Sequence, residues 1–226
     1  MTPGIAAVAP PAARPPGWLG GHDFRVVNDW ARHTGWLHGA CAAWAKDGVV
    51  LFGLLLVAGW WLARRSGEPR RMAAALWAAA GTLVAVAVNQ PIVHDVHEAR
   101  PYAVLPHVLV LVHRSVDPSF PSDHATMAGA VTAGLLLVDR RLGVGAGLAA
   151  LLMAFARVYV GVHYPRDVVA GLLLGAAVVA VGALLVVPPL ARLVARLSTG
   201  PLAPLLRARH PAGRSAGRPA GEALPG

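Results

Sequence analysis

Two histidines, two arginines, a serine and two aspartates stand where they could handle a phosphate group. His124 follows Pro121, Ser122 and Asp123. Arg157, His163 and Asp167 are separated by five and then three residues, and Arg100 precedes Pro101. Guanidinium forks match phosphate oxygens, and free N–H groups at a helix N-terminus favour an anion. Arg100, Arg157, Ser122 and a helix opening at Ser122 and Asp123 therefore make a site for a tetrahedral anion. Cleavage of a phosphate ester then needs a nucleophile and an acid for the leaving group, and two imidazoles can supply both. Asp167 shares a face with His163 if a helix begins near Pro165, because proline is accepted in a first helical turn. A carboxylate in that position can keep one imidazole nitrogen protonated and leave the other free to attack. Spacing alone leaves open which histidine attacks.

The elements that must carry these residues are apolar. The chain has 226 residues, of which 56% are hydrophobic and 14% charged, against roughly a quarter charged in an ordinary soluble domain. The apolar residues gather in five runs, at about 47–63, 72–93, 124–138, 142–162 and 168–190. A helix needs about 20 residues to cross a bilayer, so the third run is short. Lipid offers no partner to unpaired backbone groups, so the runs are predicted to be helices. The expected fold is an all-α polytopic membrane bundle of about five spans. Residues 22–45 are mixed, with Phe24, Val27, Trp30, Trp36 and Leu37 among polar residues. They predict an amphipathic helix lying in the interface, with a sixth or re-entrant span as the rival reading. Residues 1–20 and the tail from 199 are rich in Pro, Gly and Ala and are predicted to be disordered, leaving 21–198 as the membrane-embedded domain. Gly171 and Gly175 read as a close helix-packing pair.

The net charge of +9 does not call for nucleic acid. Its arginines lie in connectors, at Arg64, Arg65, Arg70 and Arg71, at Arg140 and Arg141, and in the tail. Basic residues in short loops face the cytoplasm. Alternate crossing then puts Arg100, Ser122, His124, Arg157, His163 and Asp167 together at the opposite ends of the spans, on the extracytoplasmic side of a cell membrane. Ionisable residues at such depths are costly and functional by default. Cys41 is the single cysteine, so no intramolecular disulfide forms, and no cleavable signal peptide is visible.

Arg100-Pro101, Pro121-Ser122-Asp123-His124 and Arg157-x5-His163-x3-Asp167 resemble the three signature motifs of the type 2 phosphatidic acid phosphatase superfamily. VDPSFPSDHAT and the segment from His22 to Phe52 are most similar to its undecaprenyl-pyrophosphate phosphatase branch. The resemblance spans about 22–190. It implies that His163 attacks phosphorus and becomes a phosphohistidine, that Asp167 orients it, and that His124 protonates the leaving oxygen. Arg100, Ser122, Arg157 and the backbone N–H near Asp123 would hold the phosphoryl oxygens. It implies no metal and no cofactor, and as partners a lipid phosphate or pyrophosphate and the surrounding membrane lipids. The chain departs from the pattern at three places. Val93 stands where the first motif often has lysine, Asp123 where glycine is common, and Ala156 where serine is common. His94 and Arg114 are the candidates to replace the lysine.

Several residues carry milder readings. His94 and His97 with Asp95 and Glu98 could form a metal cluster, but they are better read as interfacial groups, with Glu98 paired to Arg100. Arg166, His107, His113 and Arg114 read as solvated, and Ser122 on its own as a helix cap. Phosphatidic acid or phosphatidylglycerol phosphate as the substrate, or phosphate transfer to another lipid, fits the same residues. A non-catalytic lipid transporter or scaffold is the alternative from another class.

Overall fold

Each apolar run of the sequence becomes a helix. The computed structural model describes residues 20–207; the predicted N-terminal disorder and most of the basic tail lie outside them. The main helices are α1 (Gly21–His33), α2 (His38–Asp47), α3 (Val49–Ser66), α4 (Pro69–Val96), α5 (Pro101–Val104), α6 (Asp123–Val138), α7 (Arg140–Tyr159), α8 (Pro165–Leu197) and α9 (Ala203–Leu206). By length and composition, four of the described helical segments can cross a membrane; they are the ones built on α3, α4, α7 and α8. α6 is apolar but has only 16 residues, as its short run predicted.

The outer faces of the bundle explain why it suits lipid. Leu54 and Val57 on α3, Leu148, Leu151 and Leu152 on α7, and Leu173, Leu184 and Leu185 on α8 are all exposed. In water so much apolar surface would drive association; in a bilayer it faces acyl chains. Lipid offers no hydrophobic drive for helix association, so the interior relies on close packing of small residues. α6 lies at the centre, against α4, α7 and α8. A Cβ at Gly175 would lie 1.9 Å from the Thr126 carbonyl oxygen, and one at Gly171 would lie 2.6 Å from that of Ser122. The pair read from sequence as close packing is thus what brings the backbones of α6 and α8 together.

Residues 22–45 form two short helices, α1 and α2 (13 and 10 residues), joined by a 3-10 turn. Neither reaches the length of a span. Both pack against α7, with the Trp30 ring 5.6 Å from that of Tyr159 and the Thr34 hydroxyl 2.8 Å from the Tyr159 hydroxyl. Trp36 is exposed, as an interfacial residue would be.

At most of their ends the helices run somewhat beyond the apolar runs. α8 continues through Pro188 and Pro189 to Leu197. α7 stops at Tyr159, three residues before the end of its run, because Gly161 turns the chain at φ +85°. The sharp corner between α6 and α7 is held by Asp139. Its side chain accepts from the Arg141 and Leu142 N–H groups, each at 3.0 Å, and pairs with Arg71 at 3.1 Å.

Candidate active site

The ends of α4, α6, α7 and α8 meet around a cavity of about 730 Å³. Its lining includes Arg100, Asp123, His124, Arg157 and His163, with His94 and His97 near its edge. All seven site residues named from sequence fall in or beside this one region. Asp167 and Ser122 do not line the cavity but lie buried behind His163 and Asp123, where the Ser122 N–H donates to the Asp167 backbone carbonyl at 3.1 Å.

His163 is presented by the turn between α7 and α8. Gly161 has to be glycine there: its φ is left-handed, and a Cβ would lie 2.2 Å from the Leu109 carbonyl oxygen. The ring of His163 is 4% exposed. Its Nε2 is 3.2 Å from Arg157 Nη2 and 3.4 Å from Arg100 Nη1. Guanidinium nitrogens can only donate, so Nε2 presents its lone pair. Nδ1 then carries the proton and donates to the Ser119 carbonyl oxygen at 2.9 Å. Burial, then the cations of Arg157 and Arg100, push this imidazole well below its ordinary titration range, with the Ser119 carbonyl pulling the other way. The resting ring is neutral, so its 3.6 Å approach to Asp167 is a charge beside a dipole and not an ion pair.

The two arginines expected to bind the anion are held by backbone carbonyls. Arg157 Nη1 donates to the Ala45 carbonyl at 3.2 Å, at the end of α2. Arg100 Nε donates to the Asp117 carbonyl at 2.8 Å and its Nη1 to that of Val162 at 3.2 Å. Ser122 opens α6 but makes no side-chain cap, and its fully buried hydroxyl has no partner among the described residues. A hydroxyl left unspent is costly inside a protein unless something arrives to use it. The capping role available to Ser122 alone is therefore not the one it fills. Asp123 is held from α4, accepting from Asn89 Nδ2 at 2.7 Å and Gln90 Nε2 at 2.9 Å.

Two expectations change. Glu98 pairs with Arg166 and not with Arg100, because Arg100 is turned to the carbonyls of Asp117 and Val162. Arg166 is accordingly half-buried, and it also lies over the Phe120 ring at 5.7 Å. Of the two candidates to replace the missing lysine, His94 lines the cavity, whereas Arg114 stacks on Tyr102 at 5.4 Å. His94 and His97 pack edge to face with ring centres 5.1 Å apart; among the described residues no group of three metal-ligating side chains converges.

Residues 74–188 match the PAP2 superfamily. The chain belongs to that superfamily. A relative from Bacillus subtilis, named undecaprenyl-diphosphatase BcrC, is 30% identical over 66% of this chain and 75% of its own length. A Mycobacterium tuberculosis protein named decaprenylphosphoryl-5-phosphoribose phosphatase is 40% identical over 50% of this chain and 62% of its own. A lipid A 1-phosphatase from Rhizobium johnstonii is 47% identical over 26% of this chain and 24% of its own. This PAP2 chain is a membrane protein of a lipid phosphatase family.

Four participants escaped the sequence reading. Ser119 contacts both His163 and Asp167, Asn89 and Gln90 hold Asp123, and the Ala45 carbonyl holds Arg157. Asn89 could have been found, since a buried amide in an apolar run is a functional flag. The Ala45 carbonyl could not, because any residue supplies one.

Proposed function

We propose that this PAP2 phosphatase hydrolyses undecaprenyl pyrophosphate to undecaprenyl phosphate, on the extracytoplasmic side of the membrane, through a phosphohistidine at His163. The observation that carries this is the orientation of the His163 ring. Nδ1–H is tied to the Ser119 carbonyl, and the Nε2 lone pair faces the cavity between two guanidinium groups. Nε2 attacks the terminal phosphorus as the bond to the leaving oxygen breaks. Arg100, Arg157, the Ser122 hydroxyl and the N-terminus of α6 take up the charge on the phosphoryl oxygens. His124, in its imidazolium form, donates a proton to the leaving oxygen and becomes neutral. It then takes a proton from the water that attacks the phosphohistidine, releasing inorganic phosphate and restoring both histidines. The name of the Bacillus relative supports the substrate.

The Mycobacterium relative, with the higher identity over a shorter stretch, favours a second reading in which the substrate is a lipid-linked phosphate monoester. The two substrates differ in leaving group. A pyrophosphate expels a phosphate monoester, whose last proton has a pKa near 6, whereas a monoester expels an alkoxide. General acid catalysis contributes typically about 10²–10⁴-fold, and it matters most for the poorer leaving group. Phosphate release from detergent-purified protein, with EDTA present, should be fastest with a prenyl pyrophosphate. His124→Ala should cost far less on that substrate than on a lipid phosphate monoester. Release confined to monoesters would remove the pyrophosphate reading, and activity lost to EDTA and restored by a divalent ion would remove the metal-free mechanism.

A further inference from the structure

The superfamily motif pairs His163 with Asp167, yet the two side chains do not bond directly. His163 Nδ1 is 3.6 Å from Asp167 Oδ2, beyond a hydrogen bond. Ser119, which lies outside all three motifs, fills the gap. Its hydroxyl donates to Asp167 Oδ2 at 2.5 Å and lies 3.4 Å from His163 Nδ1, and its carbonyl accepts the Nδ1 proton at 2.9 Å. Ser119 is fully buried, and its own N–H donates to the Glu98 carbonyl at 2.7 Å. One residue is thus anchored to the end of α4 and touches both members of the pair.

We propose that Ser119 is a positioning residue that couples Asp167 to His163, fixing which ring nitrogen carries the proton and where the carboxylate charge lies. The remaining contacts of Asp167 show why it needs this help. Oδ2 also accepts the Tyr164 N–H at 2.9 Å, while Oδ1 has no hydrogen-bond partner among the described residues. Arg166 Nε approaches Oδ1 only to 3.8 Å, beyond a hydrogen bond. Without the Ser119 hydroxyl, the buried carboxylate would keep a single hydrogen-bond donor, and a buried charge short of hydrogen bonds moves or takes up a proton. Either change alters the field at Nδ1. That field matters when Nε2 binds phosphorus, because the ring then becomes cationic and the carboxylate stabilises it. No proton leaves Nδ1 in this step; it stays on that nitrogen, hydrogen-bonded to the Ser119 carbonyl throughout.

This role rests on His163 being the nucleophile. The test uses the full-length protein in detergent with a prenyl pyrophosphate as probe. Ser119→Ala should lower kcat about 10- to 100-fold, the loss expected for a hydrogen bond to a charged group, with KM changed less than about twofold. Ser119→Thr should restore most of the rate. Ser119→Cys keeps the volume with a weak donor, and should fold and remain slow. If Asp167 acts through Ser119, the double variant Ser119→Ala/Asp167→Asn will be no slower than the slower single one. Losses that multiply, or a Ser119→Ala enzyme at the wild-type rate, would overturn the proposal. Turnover is not the sole readout. In protein labelled with ¹⁵N-histidine, the Nδ1–H signal, identified by its loss in His163→Gln, should shift and exchange faster in Ser119→Ala. An unchanged signal overturns the coupling. Absence of wild-type turnover on the pyrophosphate would count against the substrate reading alone, leaving the labelled-histidine result to decide on Ser119.

Discussion

The imidazole of His163 sits between two guanidinium groups and a carbonyl, and that placement sets its titration. The reactive form is neutral, because protonation would remove the Nε2 lone pair. Its ordinary pKa is near 6.5, and burial with Arg157 and Arg100 depresses it. Activity should therefore persist as the pH falls through 6.5, and decline only below it. The profile of kcat/KM, which reports the free enzyme, checks this. Arg100→Gln removes one of the two cations, makes protonation easier, and should move the acid limb to higher pH while also weakening substrate binding. An acid limb that stays put in Arg100→Gln would detach this limb from His163. His163→Ala should lose at least about 10³-fold in rate and form no acid-labile phosphoenzyme, because the covalent step has no substitute. Turnover near the wild-type level would move the nucleophile elsewhere.

At the scale of elements, the proposed catalytic residues hang on a helix pair that tolerates no side chain between its halves. Gly175→Val would drive a branched side chain into the Thr126 carbonyl. Overpacking of this kind typically costs about 1–3 kcal/mol, and here backbone is the neighbour that must yield. The thermal midpoint in detergent should fall, and activity with it, since α6 carries Ser122 and His124 while α8 carries Asp167. An unchanged midpoint would mean that the two helices are farther apart than described. These spans were legible in the sequence because lipid demands long apolar runs, and the Gly171–Gly175 spacing announced their contact. The three motifs were legible because their side chains are chemically specific and sit at helix ends. What was hidden is what backbone does. The stop of α7 at Tyr159 depends on a turn inside an apolar run, and the hold on Arg157 comes from a carbonyl of α2, a helix whose composition gives no hint that it reaches the site. Ser119 was overlooked for a related reason, since a serine among prolines reads as loop until folding brings it beside Asp167.

The whole molecule has two chemically distinct ends. α3 ends and α4 begins at one of them, with Arg64, Arg65, Arg70 and Arg71; α6 gives way to α7 at Asp139 beside Arg71, bringing Arg140 and Arg141 to the same end; and α8 finishes there with Arg192 and Arg196. α9 docks there as well, its Pro204 carbonyl accepting from Arg64 Nε at 2.6 Å. The cavity with His163 is at the other end. Lys and Arg near span ends set orientation, and acids count for little. The cavity end also has basic groups: Arg100 and Arg157 are turned into the site and Arg166 is paired with Glu98, while Arg25, Arg32, Lys46 and Arg114 stay exposed and weaken the bias. Among the described residues the exposed cations are still more numerous opposite the site, and the arginine-rich end should face the cytoplasm. An outward cavity suits a lipid carrier left as a pyrophosphate once its cargo has been delivered outside, with the prenyl chain remaining among the acyl chains. Single cysteines test this in intact cells. Glu68→Cys lies in the exposed α3–α4 connector, and Val116→Cys in an exposed loop beside the cavity. Cys41 is partly shielded and burial raises its thiol pKa, yet it should still be replaced by serine to clear the background. A membrane-impermeant thiol reagent should label position 116 and spare position 68 until the membrane is opened. The reverse pattern would place the cavity in the cytoplasm, where a carrier emptied on the far side could not reach it, and would leave a cytoplasmic-leaflet lipid phosphate as the substrate to pursue.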